Sequence, residues 1–297
     1  MYQITIIGIF AALISTASWA VCSIILKKLG EKLDPVGMTA FKSILSVIYL
    51  SLFLFFTGGT FFVEKDILIP IAISGFVGIT LGDSLFFAAL SRLSPFFISI
   101  ILFAGPDIFS GLFGFFMLKE MPSFIEWVAI FCILAGVSFF VFPIEKQNAS
   151  ENKSTIIGII LALLSLVCMA YSMAIIKPVL TEISTITATM YRMLFSALTL
   201  IIFAFFSKKL FSWKNALQDM KYNLKFSGTI LVATFGGFLM SLVAIKYCEL
   251  IVASTLMALE PLFILIFMII FSKYKPKKKE IMGLIFSIVG ICLFLKG

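Results

Sequence analysis

The chain has 297 residues, of which 61% are hydrophobic and 13% charged, and its mean hydropathy is +1.16. A soluble globular protein of this length cannot bury so much apolar surface, so the composition excludes that class and predicts a polytopic membrane protein. The net charge is +8. It comes mainly from lysines between the hydrophobic runs, which predicts contact with anionic lipid head groups rather than with nucleic acid.

Ten hydrophobic runs follow one another along the chain, each close to the roughly 20 residues that a helix needs to cross a bilayer. They are continuously apolar, whereas the strands of a membrane barrel are about ten residues long and alternate. We therefore predict an all-α membrane protein with ten transmembrane helices. The first run lacks a basic leading segment and a clear cleavage site, which predicts a retained helix rather than a signal peptide. The predicted helices cover residues 4–26, 36–56, 67–91, 95–117, 122–142, 154–178, 184–206, 223–247, 251–271 and 280–296.

The second half of the sequence repeats the first, at an offset of 150 residues that drifts to 155 and then 154. This predicts one five-helix repeat in residues 1–150 and a second in residues 151–297. Because five is odd, the second repeat enters the membrane from the opposite side, and inverted repeats are common in secondary transporters. The matched pairs include Ser15 with Ser165, Ala20 with Ala170, Lys27 with Lys177, Ser46 with Ser196, Ala89 with Ala244, Ser99 with Ser254, Pro106 with Pro261, and Gly136 with Gly290.

Five charged residues lie inside the predicted helices: Lys42, Asp83, Asp107, Arg192 and Glu260. A charge at the centre of a membrane helix costs about 2.5 to 3.5 kcal/mol on insertion scales, so such residues are candidates for function. Two interpretations stay open. The charges form internal salt bridges that fix the packing, or they line a polar cavity in which three acids outnumber two bases and bind a cation or a proton. In either case we expect one of the bases to reach an acid.

Aromatic and hydroxyl side chains near these charges are further candidates. Most of the 35 phenylalanines would face lipid or fill helix interfaces, but those near the acids could form an apolar or cation-attracting wall. Serines could donate hydrogen bonds or simply allow close helix packing. Pro106 and Pro261 predict helix kinks, as bending points or as static packing devices. The candidate substrate-binding residues are Ser15, Trp19, Lys42, Asp83, Phe87, Phe103, Asp107, Tyr171, Tyr191, Arg192, Ser241 and Glu260.

These motifs, in this order, resemble the EamA-type branch of the drug/metabolite transporter superfamily. Each half carries an aromatic–cation pair in its second helix, Phe41-Lys42 or Tyr191-Arg192, and a proline in its fourth. Glu260-Pro261 matches the family's Glu-Pro, whereas the first half has Gly105-Pro106-Asp107, and the family's Gly-Glu appears only as Lys119-Glu120. The resemblance implies ten helices in two repeats, a central cavity with the fifth and tenth helices at its edge, and cytoplasmic termini.

The charge distribution predicts the opposite orientation. Basic residues are concentrated in the loops after the odd-numbered helices, so the positive-inside rule predicts that both termini lie outside. For coupling, the absence of histidine leaves Asp83, Asp107 and Glu260 as proton acceptors. Glu260 is the preferred one, because it precedes Pro261 and has no acidic counterpart in the first half. The alternative is that Glu260 only caps a buried hydrogen-bond network at the kink.

We thus predict a secondary active transporter that exports small organic metabolites or amphipathic solutes across the cytoplasmic (inner) membrane by alternating access. Its expected partners are the small-molecule substrate, lipids and, if transport is coupled, protons. No cofactor or metal is expected, and one chain would suffice. An importer or exchanger of an organic cation is the alternative, followed by a channel, although no filter motif is present. An enzyme is not predicted, because the sequence lacks a HExxH motif or a serine–histidine pair.

Overall fold

A computed structural model describes residues 2–29, 34–93, 105–141, 153–206, 220–272 and 274–295. The regular structure in these ranges is helical. In chain order the helices are α1 (Tyr2–Leu29), α2 (Pro35–Thr57), α3 (Lys65–Leu90), α4 (Gly105–Leu118), α5 (Phe124–Val141), α6 (Lys153–Val179), α7 (Thr185–Phe206), α8 (Met220–Tyr247), α9 (Leu250–Met257 and Glu260–Ser272) and α10 (Lys278–Phe294).

The outer surface of the helices is apolar. Phe56, Phe116 and Phe124 are 80%, 73% and 83% exposed, which water would not tolerate over a whole surface but lipid requires. Seven helices, α1 to α3 and α6 to α9, are long and apolar enough to cross a membrane, and α4 and α5 are shorter apolar helices. The prediction of a multi-pass membrane protein is confirmed. The start of the fourth predicted run, residues 95–104, lies outside the described residues.

Local sequence fixes both ends of α2. Asp34 precedes the helix and its Oδ1 accepts a hydrogen bond from Gly37 N at 2.9 Å. Pro35 opens the first turn, where its missing N–H costs nothing. The helix ends at Gly58, whose φ of 66° lies in the left-handed region that favours glycine. These ends place Lys42 about two turns inside the helix.

Helices α3 and α8 each contain a π-helical segment, Gly75–Asp83 and Ala233–Leu239. The altered hydrogen-bond ladder of such a segment leaves carbonyl groups for other donors. Ser15 of α1 donates to the carbonyl of Gly237 at 3.0 Å, and Ser165 of α6 donates to the carbonyl of Gly82 at 2.8 Å. The two serines are a repeat-matched pair, and the two glycines are matched by the 155-residue offset. The same bond is therefore made twice, once in each direction between the halves.

The packing of whole helices follows the same rule. Helix α1 packs on α8 and α6 packs on α3, while α2 packs on α7 and α5 on α10. The first helix of each repeat contacts the third helix of the other, and the second and fifth helices each contact their own counterpart. This is the pattern expected for two halves related by a twofold axis. The two halves are thus interlocked: the first helix of each repeat is covered by the third helix of the other.

Helices α5 and α10 pack mainly on each other, as the resemblance implies for the edge of the bundle. A Cβ atom at Gly136 would lie 2.8 Å from the carbonyl oxygen of Gly283, and one at Gly290 would lie 2.9 Å from that of Ala129. The missing side chains let the two backbones approach closely, which is a common way to associate helices in lipid.

Helix α9 is divided immediately before Glu260. Leu259 N donates to the carbonyl of Leu256 at 3.3 Å, a tightened turn, and Pro261 has no N–H to continue the helical ladder. Thr16 of α1 also donates to the carbonyl of Leu256, at 3.1 Å. The sequence predicted a continuous ninth helix kinked at Pro261 with Glu260 in its middle. Instead, Glu260 begins a second helical segment.

Candidate functional site

Lys42 and Asp83 form an ion pair in the interior, where they are 3% and 8% exposed. The Lys42 ammonium also lies 4.6 Å from the ring centroid of Phe238 and 6.0 Å from that of Phe87, within the range of a cation–π interaction. Trp19 packs edge-on against Phe238, with centroids 4.8 Å apart. The expected contact between an intramembrane base and an acid is confirmed, and an aromatic ring of the second repeat covers this pair from the first.

Arg192 of α7 is 2% exposed and lies against the π-helical segment of α3 that ends at Asp83, so it belongs to the same cluster. Its Nη2 donates to Ser172 Oγ at 2.9 Å, whereas its buried Nε has no partner among the described residues. Gly78 makes room for the guanidinium, since a Cβ there would lie 3.3 Å from Nη2. We call Lys42, Asp83 and Arg192 the central charge cluster; two bases and one acid give it a formal charge of +1.

Asp107 is a separate buried acid on α4, 5% exposed. Its Oδ1 accepts hydrogen bonds from Ser254 Oγ at 2.8 Å and from Thr255 Oγ1 at 3.1 Å, both on α9. Its Oδ2 is buried without a partner in the part of the chain that the structure describes. Pro106 is the second residue of α4, and the residues that would show a kink before it are outside the described ranges.

Glu260 is partly buried and faces α1. The Ser23 hydroxyl is its hydrogen-bonding partner, and the Cys22 thiol lies within electrostatic range. It makes no ion pair with any described residue. The sequence left open whether these charges form internal salt bridges or line a polar cavity with an excess of acid. In the structure Asp83 pairs with Lys42, whereas Asp107 and Glu260 have hydroxyl partners on other helices.

The two predicted serines bond to the backbone. The Ser15 hydroxyl donates to the carbonyl of Gly237, as described above. The Ser241 hydroxyl donates to the carbonyl of Phe238, one turn earlier in its own helix, at 2.8 Å. Both hydroxyls therefore have a structural hydrogen bond in this conformation.

The remaining predicted aromatic residues lie in different places. The Tyr171 ring packs on Phe113 with centroids 5.5 Å apart, so it joins α6 to α4. The Tyr191 hydroxyl donates to the carbonyl of Phe61 at 2.9 Å, in the segment between α2 and α3. Phe87 and Trp19 lie around the central charge cluster, and Phe103 is outside the described residues.

A second charged network, at one end of the bundle, was not predicted from the sequence. Lys177 Nζ binds the carboxylate of Glu120 and donates to the carbonyl of Cys248 at 2.6 Å, while Leu250 N donates to Glu120 Oε2 at 2.7 Å. Gly8, near the start of α1, lies against Cys248. Glu120 belongs to the first repeat and the groups that it binds belong to the second, so this Glu120–Lys177 network ties the halves together at the N-terminal end of α1.

Glu249 adjoins this network. Its Oε2 is buried and has no partner within the described ranges. Burial, and then the charges of Glu126 and Glu120, raise the pKa of Glu249 to about 7, although Lys177 acts in the opposite direction. The carboxyl group therefore changes its ionisation near neutral pH. Burial also raises the pKa of the neighbouring Cys248 thiol to about 12, so the thiol stays protonated.

Each half of the chain matches the same known protein family. The model of the EamA-like transporter family matches residues 6–142 and 156–296, one match in each half. This chain belongs to the EamA-like transporter family. As an EamA-like transporter, it is a membrane protein of a family that moves small solutes, not a member of an enzyme family.

The fold agrees with this assignment. A solved structure described as "Crystal structure of protein" is 14% identical and has a TM-score of 0.75, over 98% of this chain and 96% of that chain. At that identity the likeness shows the fold alone. No curated protein matched the sequence.

Proposed function

We propose that this EamA-like transporter exports small organic solutes across the cytoplasmic membrane by alternating access. In this proposal ten helices cross the membrane as two inverted repeats, residues 1–150 and 151–297. The observation that carries it is the pair of reciprocal bonds, Ser15 to Gly237 and Ser165 to Gly82. Two halves that make equivalent contacts with each other can exchange conformations, and the exchange opens a site between them to alternate sides.

In the proposed transport cycle, the Glu120–Lys177 network closes one end of the helix bundle. It joins the repeats where the starts of α1 and α9 meet the ends of α6 and α8. A solute could pass this end only if Lys177 released Glu120 and the carbonyl of Cys248. We assign the network to the closed gate of the present state, and its rupture to the step that opens this end.

We assign proton coupling to Glu260. Asp83 is held by Lys42, and Asp107 is held by two hydroxyl groups, whereas Glu260 is only partly buried and has one hydroxyl partner. It also follows the division of α9, where the backbone can rearrange. A carboxyl group whose protonation favours one of the two conformations would link the flux of protons to the flux of the solute.

Transport can be tested without knowing the substrate. Proteoliposomes would be loaded with a cellular metabolite extract, and the retained compounds compared with those in protein-free vesicles by mass spectrometry. We expect selective loss of a few small organic compounds, with faster loss when the same compound is present outside. Loss without this trans-acceleration would indicate a channel and contradict alternating access, and a chemically altered compound would indicate an enzyme.

Proton coupling has its own test, with the compound identified in that assay. Glu260→Gln removes titration but keeps most of the side-chain volume. We expect it to abolish the response to an imposed pH gradient and to preserve counterflow. Glu64→Gln, at an exposed acid, is the matched control. A gradient response that survives in a folded Glu260→Gln protein would remove Glu260 from this role.

A further inference from the structure

The central charge cluster contains two bases and one acid, so one positive charge has no counter-charge within the cluster. Asp83 can compensate one of the two bases, and it makes its ion pair with Lys42. The other two intramembrane acids, Asp107 and Glu260, have hydroxyl partners and make no ion pair with Arg192 in the described structure. A buried cation without its own counter-charge is energetically unfavourable in a low-dielectric interior.

We infer that Arg192 receives the carboxylate of an organic anion, which is the substrate of this transporter. The inference rests on the proposed transport function and specifies its substrate class. The bound carboxylate would supply the negative charge that the cluster lacks. It would do so at the interface of the repeats, since Asp83 belongs to the first and Arg192 to the second.

The geometry of Arg192 supports a carboxylate in particular. A guanidinium binds the two oxygens of a carboxylate through parallel N–H groups, which a lysine cannot do. Ser172 holds Nη2 at 2.9 Å and thereby fixes the plane of the fork. The Nε–H is buried, with no acceptor among the described residues. Arg192 is 2% exposed, is oriented by one hydroxyl and has no acceptor on Nε in the described part of the chain, so its guanidinium is arranged to receive an oxyanion.

The surroundings favour an organic anion over an inorganic one. The rings of Phe238 and Phe87 lie over the neighbouring ammonium of Lys42, and Trp19 packs on Phe238. These rings form an apolar wall beside the charge cluster, and such a wall binds the hydrocarbon part of a solute. An organic cation would instead bring a second excess positive charge to the same place.

The test uses two probes of the same shape and opposite charge, 3-phenylpropionate and 3-phenylpropylamine. The full-length protein, purified in detergent, would be titrated with each probe while its thermal unfolding is followed. We expect 3-phenylpropionate to raise the melting temperature with a saturating concentration dependence, and 3-phenylpropylamine to leave it unchanged. Sodium sulfate at equal ionic strength separates carboxylate recognition from simple charge neutralisation.

Variants then locate the site. Arg192→Gln should abolish the stabilisation by 3-phenylpropionate, and Arg192→Lys, which keeps the charge but not the fork, should weaken the apparent affinity about tenfold or more. The chain's other arginine, the exposed Arg92, supplies the control: Arg92→Gln should bind like the wild type. If Arg192→Gln does not fold, Ser172→Ala should still weaken binding several-fold by releasing Nη2.

Three results would overturn the inference: stabilisation by the amine instead of the carboxylate, equal stabilisation by sulfate, or carboxylate binding that survives both Arg192 substitutions. The vesicle assay keeps this inference distinct from the proposed function. Carboxylate binding without any selective loss of solutes would contradict transport alone. Selective loss of cationic compounds only would contradict the carboxylate site and leave transport standing.

Discussion

Among the described side chains, some buried polar atoms have an ionic or hydrogen-bonding partner and others have none. Lys42 and Asp83 satisfy each other, whereas Glu249 has a buried oxygen with no partner in the described structure. A buried carboxyl group without a partner is tolerated when it is protonated and costs free energy when it is ionised. Glu249 should therefore make the stability of the protein depend on pH.

We predict that Glu249→Gln stabilises the protein at pH 8 and has no effect at pH 4.5. Folding raises the pKa of Glu249 from 4.5 to about 7, so the wild type loses stability as the pH rises between these values. The glutamine variant lacks this loss. Melting temperatures measured across the range check the prediction, with Glu64→Gln as the exposed control. A difference from the wild type that is equal at pH 4.5 and pH 8 would contradict it.

The sequence located the intramembrane charges but not their partners. Lys42, Asp83 and Arg192 could be predicted as special because each is costly in lipid. The same count left salt bridges and an acid-rich cavity as alternatives, because a count does not tell which helix faces which. Likewise, Lys177 and Glu120 are 57 residues apart, and only the packing of α4 against the second repeat brings them together.

At the scale of elements, glycines decide how closely helices approach. Gly75, at the start of the π-helical segment of α3, faces the backbone of Arg192, and a Cβ there would lie 3.0 Å from the Arg192 Cα. Around Gly228 of α8, in contrast, no described atom outside its neighbouring residues and the backbone of its own helix turn lies within 4 Å of the added Cβ. The two glycines are both in helices but should respond oppositely to the same substitution.

We predict that Gly75→Ala destabilises the protein by about 1–3 kcal/mol, because a backbone neighbour cannot rotate out of the way. Gly228→Ala should be neutral or stabilising by up to about 1 kcal/mol, because alanine is the better helix former. Unfolding of both variants in a denaturing detergent series gives the comparison. A Gly75→Ala protein as stable as Gly228→Ala would show that the α3–α7 contact is looser than described.

The contact between α5 and α10 gives a prediction about symmetry. Gly136→Ala and Gly290→Ala each place a methyl group against a backbone carbonyl of the other helix. Each should destabilise by about 1–3 kcal/mol, and the double variant by less than the sum, since helices that have already separated accommodate the second methyl group. A double-mutant cycle measures this. Strict additivity would mean that the two contacts are independent.

Hydropathy predicted the helices because lipid demands long apolar segments, but it could not predict their irregularities. The π-helical segments of α3 and α8 are as apolar as their neighbours, and the Ser15 and Ser165 bonds that use their carbonyls come from distant helices. The division of α9 was likewise expected only as a kink, because the role of Thr16 depends on how α1 packs on α9.

For the whole molecule, the alternating-access proposal requires the end that contains the Glu120–Lys177 network to open. Gly8 and Cys248 lie in different repeats at this end, and a Cβ at Gly8 would be within covalent-linking reach of the Cys248 thiol. We predict that Gly8→Cys, oxidised with copper phenanthroline, links the two and stops solute exchange, and that reduction restores it.

The raised pKa of the Cys248 thiol makes this oxidation slow, so linkage should be verified by mass spectrometry before transport is measured. Gly8→Cys combined with Cys248→Ser is the control and should transport equally well before and after oxidation. Undiminished exchange in a fully linked protein would show that this end does not open.

The Ser15–Gly237 bond spans 222 residues, and this distance affects how the protein is made. At about 5–20 residues per second, a ribosome needs roughly 11 to 44 s to deliver Gly237 after Ser15. Until then α1 lacks α8, the helix that packs on it in the folded protein. The first repeat is therefore made as one half of an interface whose other half is still to be synthesised.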